Sequence, residues 1–474
     1  MPHPRLLARL LAPLLTTVLV ATLVAGSSAA PPDEPEVPDR YFPQDGNPGY
    51  DVLHYDIRTR YKFGSGLLTG TTVVRLRPRQ DLAALNLDLL LAVDDVRVDG
   101  RPARFRKQGR HELRVVPARP LVAGETTRVR VRYHGRPGNI TWRDESSWLA
   151  DRREVVTMNE PHMAPWWFPS NDHPSDKATY DIRVTVPREK KVISNGRQVS
   201  RRVHGPNATT HWRMSDRMAT YLAFFAAGDF LVERGKAAGI PYVNAASTLN
   251  GRRWARRALA ALRPSARITA SLQRELGDYP FQSTGGLVTG LPVGFALENQ
   301  GRPTYGSIPG RSLLVHELAH QWFGNSVSVG RWRDIWLNEG FATYLEQHDA
   351  EARGGRSTSR WLRGQYDAWR SESWFWDVVV ANPCTSPCRD TGRIFAWPIY
   401  QRGGMALAAL RNVIGKSAFR TLLRTWVRDH RDGNAHVEDF EALAEEVAGT
   451  DLDAFFDAWL RDRVPPPRQE AFGF

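Results

Sequence analysis

Residues 316–325 read HELAHQWFGN and lie within the apolar run SLLVHELAHQWF. On a helix, residues four apart stand one above the other. His316 and His320 therefore present two imidazoles to one point, as two ligands of a zinc ion must. Glu317 is rotated by about 100° from His316. It can flank a metal without ligating it, the place of a general base in metal-assisted hydrolysis. The competing reading is a pair of satisfied core histidines. The segment DIWLNEGFATYLEQ downstream separates the two. A catalytic zinc takes three protein ligands and keeps one position open. This segment reads as a second helix with Glu339 in its first turn and an apolar surround of Trp336, Leu337, Phe341 and Tyr344. A short link would fold it back on the first helix and aim the carboxylate at both imidazoles. Such a zinc brings the pKa of its water toward neutrality, and Glu317 is placed to take the proton.

Further motifs extend the pattern. WFPSNDHPSDKATYDIRVTVP (167–187), GFALENQ (294–300) and IYQRGGMALAALR (399–411) stand in order around HELAHQWFGN and DIWLNEGFATYLE. Together they resemble the M1 family of zinc aminopeptidases, which has a thermolysin-like catalytic domain behind an N-terminal β-domain. The resemblance implies one Zn2+ per chain, held by His316, His320 and Glu339, with Glu317 as general base. It implies that Tyr400 donates to the oxyanion formed on the peptide carbonyl. It implies that Glu298, with Glu160 of TMNEPHMAP as a second acid, anchors the free α-ammonium of a peptide. Ala296 and Asn299 of the same motif would meet the substrate. Two positions depart from the family pattern: Leu297 stands where Met is usual, a change of little volume, and Phe295 stands where Gly is usual. Phe295 bears on substrate register, not on zinc. Longer members carry further C-terminal domains; 474 residues leave no room for them, so a more open cleft is expected.

The elements that must position these residues follow from periodicity. Residues 1–30 have Arg5 and Arg9, an apolar run of about 15 residues, then Ser28-Ala29-Ala30, the layout of a cleaved secretory signal. The run is short of the ~20 residues of a spanning helix, so a secreted, extracellular protein with no transmembrane segment after cleavage is expected. From Tyr50 the period is two: Leu53, Tyr55, Ile57, Tyr61 and Phe63 read as one strand face, Asp99-Gly100 and Asn195-Gly196 as tight hairpins. An antiparallel β-domain is expected over 31–230 and a mostly helical catalytic domain over 231–474, a multidomain α+β chain. Helices are expected over 311–324, 334–352, 404–414, 417–429, 436–447 and 451–462. The two cysteines, Cys384 and Cys388, are expected to form a disulfide in an oxidising compartment.

Lys and Arg number 64 against 51 Asp and Glu, a formal net charge of +13. The cations are nearly all Arg and are scattered along the chain with no run interleaved with aromatics, so no nucleic-acid partner is expected. A weak, salt-sensitive attraction to anionic envelope surfaces is. The expected function is a secreted zinc aminopeptidase acting on peptides with a free N-terminus. The alternatives are a zinc endopeptidase of the same clan, zinc hydrolysis of a non-peptide electrophile such as an epoxide, and a non-catalytic envelope-binding protein.

Overall fold

Apolar residues at every second position build the first half of the chain, seen in a computed structural model that describes residues 39–158 and 160–474. The signal expected at 1–30 lies outside the described residues. In the strand Tyr50–Lys62, Tyr55 and Ile57 are fully buried while Arg58 and Arg60 face solvent. A bulge between Val52 and His54 shifts the register, so Val52, not the expected Leu53, faces the core; a bulge turns the side chains that precede it to the other face. Eight strands form the main sheet, in the order Arg197–His204, Asn207–Met218, Ala178–Pro187, Tyr50–Lys62, Leu67–Pro78, Thr127–Gly135, Ala92–Val98 and Arg101–Pro102. All pairs but one are antiparallel; Tyr50–Lys62 runs parallel to Ala178–Pro187. Asp99-Gly100 makes the expected hairpin turn, with φ of +48° and +81°. Asn195-Gly196 does not. It passes the chain from a strand of a second, four-stranded sheet into the main one. Gly196 is required there, because a Cβ would lie 2.0 Å from the Arg213 carbonyl oxygen.

The second half is the expected helical domain, with an addition the sequence did not announce. A five-stranded mixed sheet opens it, in the order Phe230–Ala237, Ile240–Ser247, Thr284–Val288, Thr304–Tyr305 and Ala296–Leu297. Three of these strands have five residues or fewer, too short to show a period. Helices follow: α1 (Arg252–Leu262), α2 (Ser265–Leu276), α3 (Arg311–Ala319), α4 (Trp336–Ala352), α5 (Thr358–Trp369), α6 (Ser373–Trp376), α7 (Trp397–Ile414), α8 (Lys416–Asp429) and α9 (Val437–Ala448). Helix α7 starts seven residues before the expected Gly404, with Pro398 at its entry, a position where the missing N–H costs nothing. Gly404, the expected first residue, and Gly403 are instead buried in its interior. Their place is explained by α4, which crosses α7 backbone to backbone: a Cβ on Gly340 would lie 3.0 Å from the Gly403 carbonyl carbon, and one on Gly403 3.0 Å from the Gly340 Cα. The helix expected over 451–462 is split into Asp453–Phe456 and a wide turn, Asp457–Arg461.

Two buried cations fasten the parts. Lys177, beside the main sheet, donates from Nζ to the carbonyls of Asn325 (3.1 Å), Ser326 (2.8 Å) and Gly433 (2.7 Å) of the catalytic half. Arg402 of α7, fully buried, donates to the carbonyls of Trp459 (2.7 Å), Asp462 (2.6 Å), Ala458 (3.2 Å), Trp376 (3.1 Å) and Val378 (3.1 Å). Cys384 and Cys388 form the expected disulfide. The loop they close is pinned to Tyr41, whose carbonyl accepts from the Cys388 N–H at 2.9 Å. No helix among the described residues is long and apolar enough to cross a membrane.

Candidate active site

Helix α3 is buried along Leu314–Ala319, which is why polar zinc-ligand candidates sit in a run that otherwise reads as core. His316 and His320 occupy its last turn. The chain then turns at Gly324 (φ +116°) against the Asn338 side chain, and Glu339 falls in the first turn of α4. The expected convergence is present: Glu339 Oε2 lies 3.2 Å from His316 Nε2 and 3.4 Å from His320 Nε2. The far nitrogens are also held. His316 Nδ1 meets Glu346 Oε1 at 2.8 Å, and His320 Nδ1 donates to the Phe323 carbonyl at 3.1 Å. With both Nδ1 atoms so engaged, both Nε2 atoms are directed at the common point. One ligand atom from each of His316, His320 and Glu339 lies within 4.8 Å of the others, and all three residues are buried. Two neutral imidazoles and a carboxylate in this arrangement fit a zinc ion.

The charges agree. Burial alone would lower both imidazole pKa values, but nearby carboxylates outweigh it: Glu339 and Glu346 hold His316 well above its usual 6.5, and Glu339 with Glu298 raises His320 to about 9. Burial would raise Glu339, yet the two imidazoles draw it down to about 2. The triad is thus built around a concentrated positive charge, which a metal supplies in exchange for the protons.

A cavity of about 420 Å³ opens onto the triad, lined also by Glu160, Glu298, Glu317 and Tyr400. Glu317 is 3% exposed, and its Oε2 has no hydrogen-bond partner. Burial raises its carboxyl to about 8, against the opposing pull of His316 and His320. Tyr400, in the first turn of α7, stacks on His316 with ring centroids 6.0 Å apart. Burial and the surrounding carboxylates hold its phenol well above 10, so it remains a donor. Glu298 Oε1 and Glu160 Oε1 are likewise buried without partners. Burial raises both carboxyls, and each feels the negative charge of neighbouring glutamates. The Glu298 carbonyl accepts from Gln321 Nε2 (3.0 Å) and Asn325 Nδ2 (2.9 Å), which ties this wall to the segment after α3.

Ala296 lines the cavity from Ala296–Leu297, the outermost strand of the five-stranded sheet. Asn299 does not line it. It is fully buried behind the wall and donates to Thr304 Oγ1 at 3.0 Å, so the expected substrate contact gives way to a role in holding the Glu298 loop. Phe295 points outward at the rim, 57% exposed, as does Trp397 at 52%. The Phe295 carbonyl still accepts from the Gly306 N–H at 3.2 Å, so the side chain is accommodated without loss of the strand. Sequence reasoning missed Glu346. The signal was available, since Glu346 follows Glu339 by seven residues, two turns along the same helix face.

Three ligands on crossed helices, an unpartnered carboxylate beside them and an edge strand along the cavity define a thermolysin-like zinc metallopeptidase site. The comparisons agree. Residues 52–222 match the Peptidase M1 N-terminal domain and residues 286–459 the Peptidase family M1 domain. Tricorn protease-interacting factor F2 of Thermoplasma acidophilum is 24% identical over 449 residues, covering 88% of this chain and 53% of that protein. Bovine glutamyl aminopeptidase is 29% identical over 350 residues, 66% of this chain and 34% of its own length. The chain thus spans about half or less of these curated relatives. A crystal structure of an M1 zinc metallopeptidase from Deinococcus radiodurans, a glutamate-to-alanine mutant bound to a Tyr-Ser-Ala substrate, superposes with a TM-score of 0.79 at 26% identity, covering 90% of this chain and 98% of that one. Carrying both domains in order, the chain belongs to peptidase family M1, and its triad fits the zinc ion of that family.

Proposed function

We propose that the protein is a secreted aminopeptidase that removes residues from the free N-termini of peptides. One observation carries this reading: Glu160 and Glu298 each leave a buried carboxylate oxygen unpartnered on the wall of the cavity that holds the triad. A buried carboxylate without a partner is costly, and two on one wall suit a cation. The α-ammonium of a peptide supplies that cation and sets its first carbonyl at a fixed distance from the triad.

His316, His320 and Glu339 would hold the zinc, which would supply Lewis-acid chemistry and lower the pKa of water. Glu317 removes the proton from the attacking water, and a carboxyl raised by burial is suited to hand it on to the leaving amine. The Tyr400 hydroxyl donates to the oxygen that gains charge. Glu298 and Glu160 hold the ammonium, and the edge strand Ala296–Leu297 offers backbone along which the peptide extends. Counting back from Glu298, Phe295 stands roughly 10 Å along the strand, beside the second or third residue of the substrate. With Trp397 on the same rim, it favours an apolar side chain there.

The deciding experiment compares free and N-acetylated forms of one peptide series, with and without a chelator, varying the second residue between Gly and Phe. Cleavage of only the free forms, abolished by the chelator, is expected. Equal cleavage of acetylated forms would establish the endopeptidase alternative. Indifference to the second residue, and to the third varied in the same way, would remove Phe295 from substrate recognition. Secretion rests on the charge and apolar pattern of residues 1–30. N-terminal sequencing of protein from culture medium tests it, and a chain retaining Met1 would sink it. A weak attraction to anionic envelope surfaces follows from the net charge of +13 and should vanish at high salt.

A further inference from the structure

Arginines scattered in the sequence are gathered by the main sheet. On its outer face the register aligns Arg183, Arg58, Thr71 and Arg132 in one row, and Thr185, Arg60, Thr69 and His134 in the next. Arg75 stands opposite Arg128, and Arg97 opposite Arg130. Three times, therefore, guanidinium faces guanidinium: Arg58 and Arg183, Arg75 and Arg128, Arg97 and Arg130. Like charges directly opposite destabilise a sheet. Asp56 relieves the first pair, bonded to Arg58 at 2.8 Å and also to Arg183. Asp95 relieves the third, 2.9 Å from Arg130 and 3.4 Å from Arg97. Among the described residues no ion pair relieves the second; Asp99 reaches only the Arg128 backbone N–H, at 2.9 Å. Among the described residues Arg75, Arg128, Arg60 and Arg132 have no ion-pair partner, and all four are exposed.

The same face is hollowed. Arg58, Arg60, Arg132 and Arg183 line a concavity of about 510 Å³ floored by threonines, Thr185 and Thr209 among them. Its one acidic lining residue, Asp94, is engaged by His134 at 2.7 Å. Guanidinium forks beside hydroxyl donors match phosphate oxygens. The aromatic lining residue, Tyr133, is buried at 1% exposure and offers no face to stack a base. A flat bilayer surface cannot reach the floor of a hollow, whereas a thread can lie in it.

The geometry points to this face as a docking surface for a linear, phosphate-bearing polymer. This gives the general basic charge a place on the fold, and it stands whether or not the aminopeptidase reading holds. The test uses the full chain and dye-labelled inorganic polyphosphate, with fluorescence anisotropy followed over a salt series. Binding should weaken linearly on a log–log plot. Replacing Arg60, Arg75, Arg128 and Arg132 by Ser should cost at least about tenfold in affinity and lower the salt slope by about 3, at about 0.7 per contact. The melting temperature should be unchanged or raised, because the unrelieved Arg75–Arg128 pair is gone. The double variant Arg60→Ser, Arg132→Ser should show about half the loss in slope. Equal binding by wild type and variants would overturn the proposal. So would tighter binding of phosphatidylglycerol vesicles or of an oligothymidylate than of polyphosphate, or no binding at low salt.

Discussion

Glu346 lines the cavity and is tied to the triad through His316, so its removal should be felt at the metal site. Its Oε1 accepts from His316 Nδ1 at 2.8 Å, and it is also bonded to Ser312. His316 is 8% exposed, so without Glu346 the Nδ1–H loses its acceptor where water barely reaches. Leaving a buried donor unsatisfied costs about 1–3 kcal/mol. Loss of a carboxylate behind a metal-bound histidine costs about 10–100-fold in metal affinity or activity, or ~1.4–2.8 kcal/mol, and the two figures agree. Glu346→Gln, which keeps an oxygen acceptor but no charge, should fall near the lower bound and Glu346→Ala near the upper. The assay is zinc affinity by competition with a chelator of known strength, with kcat measured separately at saturating zinc. A Glu346→Ala protein that melts like wild type and binds zinc within about twofold of it would refute the reasoning, because the imidazole would then be oriented by packing alone.

Other outcomes follow from the same contacts. Glu317→Gln should retain zinc, measured by metal analysis, and lose about 10²–10⁴-fold in kcat; near wild-type turnover would exclude Glu317 as the base. Tyr400→Phe should lower kcat by about 10²–10³-fold with little change in KM, and an equal rate would take Tyr400 out of the reaction. Lys177→Met strands three buried carbonyls, and urea unfolding should show a loss of about 3 kcal/mol or more. Burial alone would lower the His162 pKa, but the Asp45 and Glu145 carboxylates raise it from 6.5 to about 10; burial would raise Asp45, and His162 lowers it below 3.8. The His162 contribution to stability is full below pH 6.5 and is lost as pH rises through about 10. That of Asp45 is full above pH 3.8 and is lost as pH falls. Urea unfolding of wild type against His162→Asn across pH should show the difference shrinking at both ends, and a constant difference would refute the pairing.

The triad was legible in the sequence because an i, i+4 spacing is a geometric statement, and Glu339 because its segment also reads as a helix. Their companions were harder to see. Glu346 sits at an ordinary solvated position of an amphipathic helix until the fold shows His316 beside it. Asn299 was placed by motif, and only the structure shows it turned toward Thr304. The short strands between Thr284 and Tyr305 carry no period of their own; tertiary pairing forms them. The start of α7 was expected at Gly404, too late; glycine has low helix propensity, and packing against α4 carries the helix through Gly403 and Gly404. The basic face was invisible for another reason: its arginines are separated in sequence by up to 125 residues, from Arg58 to Arg183, and only strand register brings them together.

The crossing of α4 and α7 at Gly340 and Gly403 has a mechanical meaning. Glu339 lies next to one glycine and Tyr400 one turn from the other, so the spacing of these two side chains is gauged by close-packed main chain with the buried Trp336 ring seated against it. That half of the active site behaves as a solid block. Whatever accommodation a peptide demands on arrival falls to the opposite wall, where Glu160 enters from the sheet-built half of the molecule.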